Sequence, residues 1–424
     1  MIPRSPWDIH EGGKYYVIRN YSSIFAFVVG KHFKPETSGF CVACGHTDSP
    51  CLRIRPNHHV VNNSFLQVTV DTYGGGLWHT WFDRGLGVAG KVIIKRENVS
   101  SNVLLEEKLV RIARPIAILP NLAIHLQTAE ERASVHLNKE IHLQPIIGTK
   151  YNSSNEGDGI STFSPDLLNL LSDELNCKPS EIVDLDLSFM DATESRLCGV
   201  YEEFIESPRL DNLVSTWCAL YGLAEISDQL MEGNTISVAV AFDHEEIGSV
   251  SFTGANSDFF ESALDRILAS FESDVSFSEI ISRSFLLSMD MAHSLHPNYS
   301  EKHQKEHAPL LHKGVTVKIN PNQRYISHGA VNALLTQIAE KSNVPLQHFL
   351  VRNETPCGGT VGPLMASRTG IRGVDIGITQ LAMHSCREMC GADDIKHLLT
   401  LVKGFYQHFR EMDSRCVYLS NGVV

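Results

Sequence analysis

Four stretches of the chain share one pattern, a run of β-type apolar residues that stops abruptly at acids, histidine or other polar groups. Phe40-Cys41-Val42-Ala43-Cys44 leads into Gly45-His46-Thr47-Asp48, and Ile236–Phe242 into Asp243-His244-Glu245-Glu246. Phe285–Met289 leads into Asp290-Met291-Ala292-His293, and Gly373–Ile378 into Thr379-Gln380 and then His384. Runs that are continuously apolar, rather than alternating, predict strands covered on both faces, as in a mostly parallel sheet between helix layers. Helical signals over Leu210–Ala224, Ala330–Lys341 and Ala392–Phe409 predict the helices that cover it. Ligands of such sheets gather at the carboxyl ends of the strands. Polar residues far apart in sequence are therefore expected to converge on one edge.

Between Pro56 and about Ser207 the texture changes to short alternating runs such as Phe65-Leu66-Gln67-Val68-Thr69-Val70, interrupted by Gly74-Gly75-Gly76. This predicts a β-rich domain, residues 56–206, inserted into an α/β catalytic domain made of residues 1–55 and 207–424. Inside the insertion, Tyr151 to Gly159 is polar and glycine-containing and reads as a loop.

Composition narrows the function classes. The chain has 424 residues, 36 Lys+Arg against 49 Asp+Glu and a formal charge of −13. No basic footprint exists for phosphate binding, which argues against a nucleic-acid partner. No stretch approaches the ~18 consecutive apolar residues of a spanning helix, and the first residues lack an apolar leader, so no membrane partner is expected. Ten cysteines are sparse and sit mostly in apolar runs, which predicts buried, reduced thiols and a cytoplasmic protein.

Three motifs point elsewhere and fail on context. Gly85-Leu86-Gly87-Val88-Ala89-Gly90-Lys91 resembles a nucleotide loop, but β-branched Val92-Ile93-Ile94 follows it, so a glycine-rich turn or a tightly packed helix start is expected instead. His303-Gln304-Lys305-Glu306-His307 fits H-x-x-E-H, yet almost no apolar residue surrounds it and Pro309 follows. A solvated loop or short exposed helix is expected there. Cys41-Val42-Ala43-Cys44 lies within a predicted strand, and no second C-x-x-C completes a zinc site.

The residues that end the strands carry more. His46 and Asp48, two apart, suit an imidazole ligand with a carboxylate orienting it from behind. Adjacent Glu245 and Glu246 repel each other unless a cation sits between them or one is protonated. A metal site meets both conditions, with one Glu as ligand and its neighbour as general base on an activated water. Asp211, Asp290 and His384 add two carboxylates and a second imidazole. If Asp211 bridges two ions, each receives one His, one terminal carboxylate and a share of the bridge, a mixed nitrogen and oxygen set that zinc accepts.

Together, Gly45-His46-Thr47-Asp48-Ser49-Pro50, Pro208-Arg209-Leu210-Asp211-Asn212, Asp243-His244-Glu245-Glu246-Ile247-Gly248-Ser249, Met289-Asp290-Met291-Ala292-His293 and Leu381-Ala382-Met383-His384-Ser385 resemble the dizinc aspartyl aminopeptidases. Thr80-Trp81-Phe82-Asp83-Arg84, Leu122-Ala123-Ile124-His125-Leu126 and Asn353-Glu354-Thr355-Pro356-Cys357-Gly358 extend the resemblance over nearly the whole chain. It implies a dizinc exopeptidase-like fold and two zinc ions per subunit, held by His46, Asp211, Glu246, Asp290 and His384. Glu245 is then the general base acting on a zinc-bridging hydroxide, with Asp48 orienting His46. The implied substrates are peptides with an unblocked N-terminal Asp or Glu, their acidic side chain bound by Lys318 and the reacting carbonyl attended by Tyr325. The resemblance further implies a cytosolic homododecamer built from dimers through the inserted domain, with His125 reaching a neighbouring subunit's active site. Taken without the family, His125 reads as a buried strand histidine.

Members of that family carry a helix-rich segment ahead of the stretch equivalent to Trp7, which this sequence does not contain, and a longer region near Tyr151–Asp173. Two other readings stand beside the first. One is a related dizinc deacylase or carboxypeptidase. The other is an assembly subunit with weak catalysis because of its short beginning.

Overall fold

The computed structural model describes residues 7–96, 104–134, 136–151, 163–271 and 273–416. Two compact units emerge from the contacts, one comprising residues 1–49, 196–383 and 388–424, the other 50–195 with 384–387. Sequence texture put the second unit at 56–206. The structure starts it at Pro50, because the strand Cys51–Asn62 pairs with Phe65–Tyr73, and adds the four residues from His384 to Arg387. All but Tyr151 of the loop expected over 151–159 lies outside the described residues.

The first unit is built on an eight-stranded sheet of β1 (Lys14–Arg19), β2 (Ser23–Val29), β3 (Phe40–His46), β4 (Ile236–Phe242), β5 (Phe285–Met289), β6 (Val315–Lys318), β7 (Leu346–Phe349) and β8 (Arg372–Gly377). Their order across the sheet is β1-β2-β4-β3-β5-β8-β6-β7. The middle strands β4, β3, β5 and β8 run parallel, while β1, β2 and β6 introduce antiparallel pairs. The expected α/β class with a mostly parallel centre is the observed one.

Burial explains why these runs are continuously apolar. Phe40, Val42 and Cys44 of β3 enter one core with Phe242, Phe259 and Leu264, whereas Cys41 and Ala43 enter the opposite core with Leu223, Leu398 and Phe405. Each fully buried Val, Leu or Phe of these layers contributes about 1.5–3 kcal/mol over its exposed state. The helices α1 (Leu210–Glu225), α2 (Phe259–Leu268), α3 (Gly329–Lys341), α4 (Val361–Thr369) and α5 (Ala392–Asp413) supply the covering faces. In α5 the residues Leu398, Leu401, Val402, Phe405 and Phe409 recur at helical spacing and are almost fully buried. No helix among the described residues is long and apolar enough to cross a membrane.

The second unit is a closed barrel in the order Cys51–Asn62, Phe65–Tyr73, Ile146–Thr149, Leu105–Ile118, Gly85–Lys95, Ile182–Asp191. Leu52, Val68, Val88 and Phe189 fill it. The glycine-rich stretch Gly85–Gly90 is neither a turn nor a helix start but the first half of a barrel strand. Gly90 shows why glycine recurs there: with φ at +150°, a Cβ would fall 2.1 Å from the Asp186 carbonyl of the adjoining strand. His303 to His307 forms a loop after a short 3-10 turn at Ser300–Lys302, so its two imidazoles share no helical face.

Among the described residues, which include all ten cysteines, no disulfide forms, and Cys41, Cys44, Cys218, Cys386 and Cys390 are buried. Burial pushes the Cys41, Cys218 and Cys390 thiols up to about 12 and Cys44 higher still, leaving almost no thiolate at neutral pH. With a thiol reagent in native buffer, exposed Cys416 should react first and these five should stay unmodified until denaturant is added. Rapid native modification of Cys41 or Cys44, read by peptide mass mapping, would contradict the packing described here.

Candidate metal centre

Three parallel strands end at one edge of the large sheet, and each delivers an acid or imidazole there. β3 ends on His46, β4 is followed by Glu245 and Glu246, and β5 is followed by Asp290. Asp211 arrives separately at the start of α1, where the Asp211–Asn212 peptide is cis. His46, Asp211 and Asp290 can each offer a ligand atom within 4.8 Å of one another, and so can His46, Glu245 and Glu246.

His46 is 2% exposed and anchors the centre. Its Nδ1 lies 3.0 Å from the Asp48 carbonyl oxygen and 3.4 Å from an Asp48 carboxylate oxygen. Donation from Nδ1 turns Nε2 toward Asp211 Oδ1 at 3.3 Å and toward Glu245 Oε2 and Asp290 Oδ2 at 3.9 Å each. Burial disfavours charge on the ring, yet Asp211, Asp48 and Asp290 outweigh it and hold the imidazole pKa well above its ordinary value. The nitrogen that faces the acids thus carries a proton unless another cation takes its place.

Asp48 does more than sequence reasoning expected. Its two carboxylate oxygens accept the backbone N–H groups of Glu245 and Glu246, at 3.0 Å each, at the head of the 3-10 turn Glu245–Ile247. One residue therefore orients the imidazole through its carbonyl and the Glu pair through its carboxylate. His244, in the left-handed region at φ 64°, and Gly248, at φ 97°, bracket that tight turn.

The backbone of Asp211 is held from both ends. Its N–H donates to Glu388 Oε2 at 2.9 Å, and its carbonyl accepts the Ser49 hydroxyl at 2.6 Å. Asn212 Nδ2 donates to the Met289 carbonyl at 2.8 Å and the Thr216 hydroxyl to the His46 carbonyl at 2.7 Å. Ser49, Asn212, Thr216 and Glu388 escaped sequence reasoning because each acts on backbone atoms of a distant segment. Pro208-Arg209-Leu210-Asp211-Asn212 signals nothing of Glu388, which is buried 177 residues away in sequence.

Lys318, the last residue of β6, is 4% exposed, with Nζ 3.4 Å from Asp290 Oδ1 and 5.2 Å from the Tyr325 ring centre. All four residues of that strand, Val315 to Lys318, are buried. Tyr325 is also buried, and burial together with the adjoining Cys357 thiol pushes its phenol well above the ordinary range, so it remains a donor.

In the second unit, His384 Nδ1 lies 3.1 Å from the Gly75 carbonyl, which fixes the proton on Nδ1 and the lone pair on Nε2. His125 lies on the 3-10 turn Ile124–Leu126, and no residue of that turn is buried. It is exposed rather than a buried strand histidine, because the strand that precedes it already ends at Ile118.

The residues at the sheet edge fit zinc. An imidazole nitrogen and several carboxylate oxygens are zinc donors, and their mutual repulsion calls for a cation at their centre. Burial pushes Glu245 up to about 7, with Asp290, Asp211 and Asp48 adding to the rise against the opposing pull of His46. Burial likewise raises Asp290, against the pull of Lys318.

The chain matches the family model "Aminopeptidase I zinc metalloprotease (M18)" over residues 3–406. It is 44% identical to the aspartyl aminopeptidase of Caenorhabditis elegans over 416 residues, covering 95% of this chain and 87% of that one. It superposes with a TM-score of 0.93 and 41% identity on a chain from a cryo-EM structure of the Ape4 and Nbr1 complex, over 98% of this chain and 81% of that one. For the S. cerevisiae mApe1 dodecamer the TM-score is 0.82 at 27% identity, over 96% and 87% of the two chains.

The shifts of Glu245 and His46 set a pH dependence for the zinc-stripped protein. A carboxyl whose folded pKa exceeds its unfolded value near 4.5 loses stability as pH rises between 4.5 and about 7. A histidine raised in the folded state likewise stabilises below its unfolded pKa of about 6.5 and loses that contribution as pH climbs through the folded value. Both signs agree. The urea midpoint of the chelated protein should fall from pH 5 to pH 8, and zinc should restore it at pH 8. A midpoint that rises over this range would refute the arrangement.

Proposed function

Because the chain belongs to the M18 aminopeptidase I family of zinc metalloproteases, we propose that it removes unblocked N-terminal Asp or Glu residues from peptides. The observation that carries this reading is the Glu245–Glu246 pair, held through both backbone N–H groups by Asp48 while Glu245 Oε2 stands 3.9 Å from His46 Nε2. Two zinc ions per subunit are proposed, and His46, Asp211, Glu246, Asp290 and His384 are the residues that would hold them. Three ligand carboxylates then leave one of four positive charges for a further anion. When bound, zinc polarises the scissile carbonyl and lowers the pKa of the attacking water.

The chain's own residues supply the remaining steps. Glu245 Oε2 takes the proton of the attacking water and delivers it to the departing amine. Asp48 keeps Glu245 and His46 in register throughout. Lys318 is a buried cation in a chain of net charge −13, and it pairs with the acidic side chain of the first substrate residue. Tyr325, held protonated, donates to the carbonyl oxygen as that oxygen gains charge. The dodecamer of the yeast relative supports a homododecamer built from dimers through the inserted domain, with exposed His125 serving the active site of a neighbouring subunit. Ten cysteines that form no disulfide among the described residues support a cytoplasmic location.

The deciding experiment is cleavage of free Asp- and Glu-terminated peptides against Ala-, Leu- and N-acetyl-Asp controls by zinc-loaded protein. Release restricted to free acidic N-termini is expected. Cleavage of N-acetyl-Asp would favour the deacylase reading, and silence from a zinc-loaded oligomer would favour a weakly catalytic assembly subunit.

Two substitutions separate the roles. Glu245→Gln should keep its zinc and lose at least ~100-fold in kcat, the range of a lost general base, whereas Asp211→Asn should lose metal, as elemental analysis after dialysis would record. Equal metal loss in both would refute the division. Lys318→Ala should raise KM for Asp peptides by at least ~10-fold, the scale of one charge-assisted bond, while leaving Ala peptides as they were. An unchanged preference would assign the acidic side chain to another cation.

A further inference from the structure

Asp375 is fully buried in β8, and no step above uses it. Its Oδ2 accepts the Ile326 N–H at 2.7 Å and its Oδ1 the Thr360 hydroxyl at 2.7 Å. The Asp375 N–H donates to Ser327 Oγ at 2.9 Å, and the Ser327 hydroxyl returns a 3.3 Å bond to the Asp375 carbonyl. Two separate loops are thereby tied to one carboxylate. The first carries Tyr325 immediately before Ile326, and the second carries Cys357 just before Thr360 at the head of α4.

The loops also meet each other beyond that anchor. Arg324 Nε lies 3.2 Å from the Cys357 carbonyl and 3.3 Å from that of Gly358, and the phenol of Tyr325 adjoins the Cys357 thiol. Space around the carboxylate is reserved for it. A Cβ on Gly362 would come within 2.9 Å of both Asp375 oxygens and 2.8 Å of Ser288 Oγ. On the other side, the antiparallel register pairs Val317 with Ile376, so Lys318 follows alongside Asp375. An acid so fully enclosed and so fully engaged by two loop ends exceeds what a core strand requires, since an apolar residue would pack there without the desolvation cost.

We propose that Asp375 is a positioning residue for the reaction, which sets the Tyr325 phenol by anchoring the Ile326 amide and the Thr360 hydroxyl together. This rests on the aminopeptidase reading of the site. A change at Asp375 then acts through Tyr325, whose hydrogen bond is needed as charge develops, so it lowers kcat more than it raises KM. Asparagine can substitute in part. Its oxygen accepts the Ile326 N–H, and its amide donates to the Thr360 hydroxyl oxygen.

The test compares the wild type, Asp375→Asn, Asp375→Ala, Tyr325→Phe and the Asp375→Ala/Tyr325→Phe double variant on a free Asp peptide, with zinc content measured for each. Asp375→Ala is expected to lose at least ~30-fold in kcat with full zinc, and Asp375→Asn no more than ~3-fold. In the Tyr325→Phe background the Asp375→Ala change should cost less than ~3-fold further, because the two act as a unit. A second readout does not depend on activity: the rate at which a thiol reagent modifies Cys357 should rise at least ~10-fold in Asp375→Ala while buried Cys41 stays protected. Fully multiplicative losses, or unaltered kcat and Cys357 reactivity, would overturn the proposal. Should Asp375→Ala not fold, Thr360→Val decides, with a several-fold lower kcat and faster Cys357 modification expected and wild-type values of both refuting the idea. A wild type silent on the Asp peptide would instead strike the substrate reading, and Cys357 reactivity would still decide the anchoring role.

Discussion

Mutual repulsion among buried and half-buried carboxylates is the constraint around which this edge of the sheet is organised. Asp48, Asp211, Glu245, Glu246 and Asp290 collect about one imidazole and one lysine. Two like charges about 4 Å apart repel by about 4 kcal/mol at an effective dielectric constant of 20, and this cluster holds several such pairs. A flexible chain would relieve that repulsion by spreading apart. The acids stay together because Asp48, Glu245, Glu246 and Asp290 directly follow strands that are paired on both sides and buried on both faces, while Asp211 begins a helix packed against that sheet. Zinc removes the repulsion, so metal binding and the stability of this edge of the sheet are one free energy viewed from two sides.

Backbone amides carry much of what the metal does not. Asp48 spends its charge on the N–H groups of Glu245 and Glu246, and Glu388 accepts the N–H of Asp211. These bonds turn potentially destabilising acids into rigid joints, since a charge-assisted bond to a backbone amide fixes direction as well as distance. Asp375 follows the same economy at the next strand, where a buried carboxylate ties two loops through an amide and a hydroxyl. The family's chemistry therefore stands on a scaffold in which acids organise backbone and backbone organises acids.

The buried cation beside these acids obeys the same logic. Lys318 is almost wholly buried, which is costly for an ammonium group unless anions and a π-face surround it. Asp290 at 3.4 Å and the Tyr325 ring at 5.2 Å provide both. Both partners hold the lysine in place, so little ordering of its side chain remains for any further anion it meets.

The sequence by itself determined which runs become buried strands and which residues stand at their ends. Continuous apolar runs such as Ile236–Phe242 and Phe285–Met289 are local signals, and they appear as strands with the same limits in the structure. The acids at the strand ends were legible for the same reason, since a burst of charge after a buried strand has few structural explanations. Only the tertiary structure decided how those acids are held. Neither the bond from Asp211 to Glu388 nor the grip of Asp375 on Ile326 leaves a periodic trace, because each joins a side chain to a backbone atom in another segment. The strand Gly85–Lys95 was equally hidden, since a glycine-rich run looks like a turn until a neighbouring carbonyl, here that of Asp186, occupies the space a side chain would need. Local chemistry is written in neighbouring residues, whereas the contacts that aim it exist only once distant segments have been brought together.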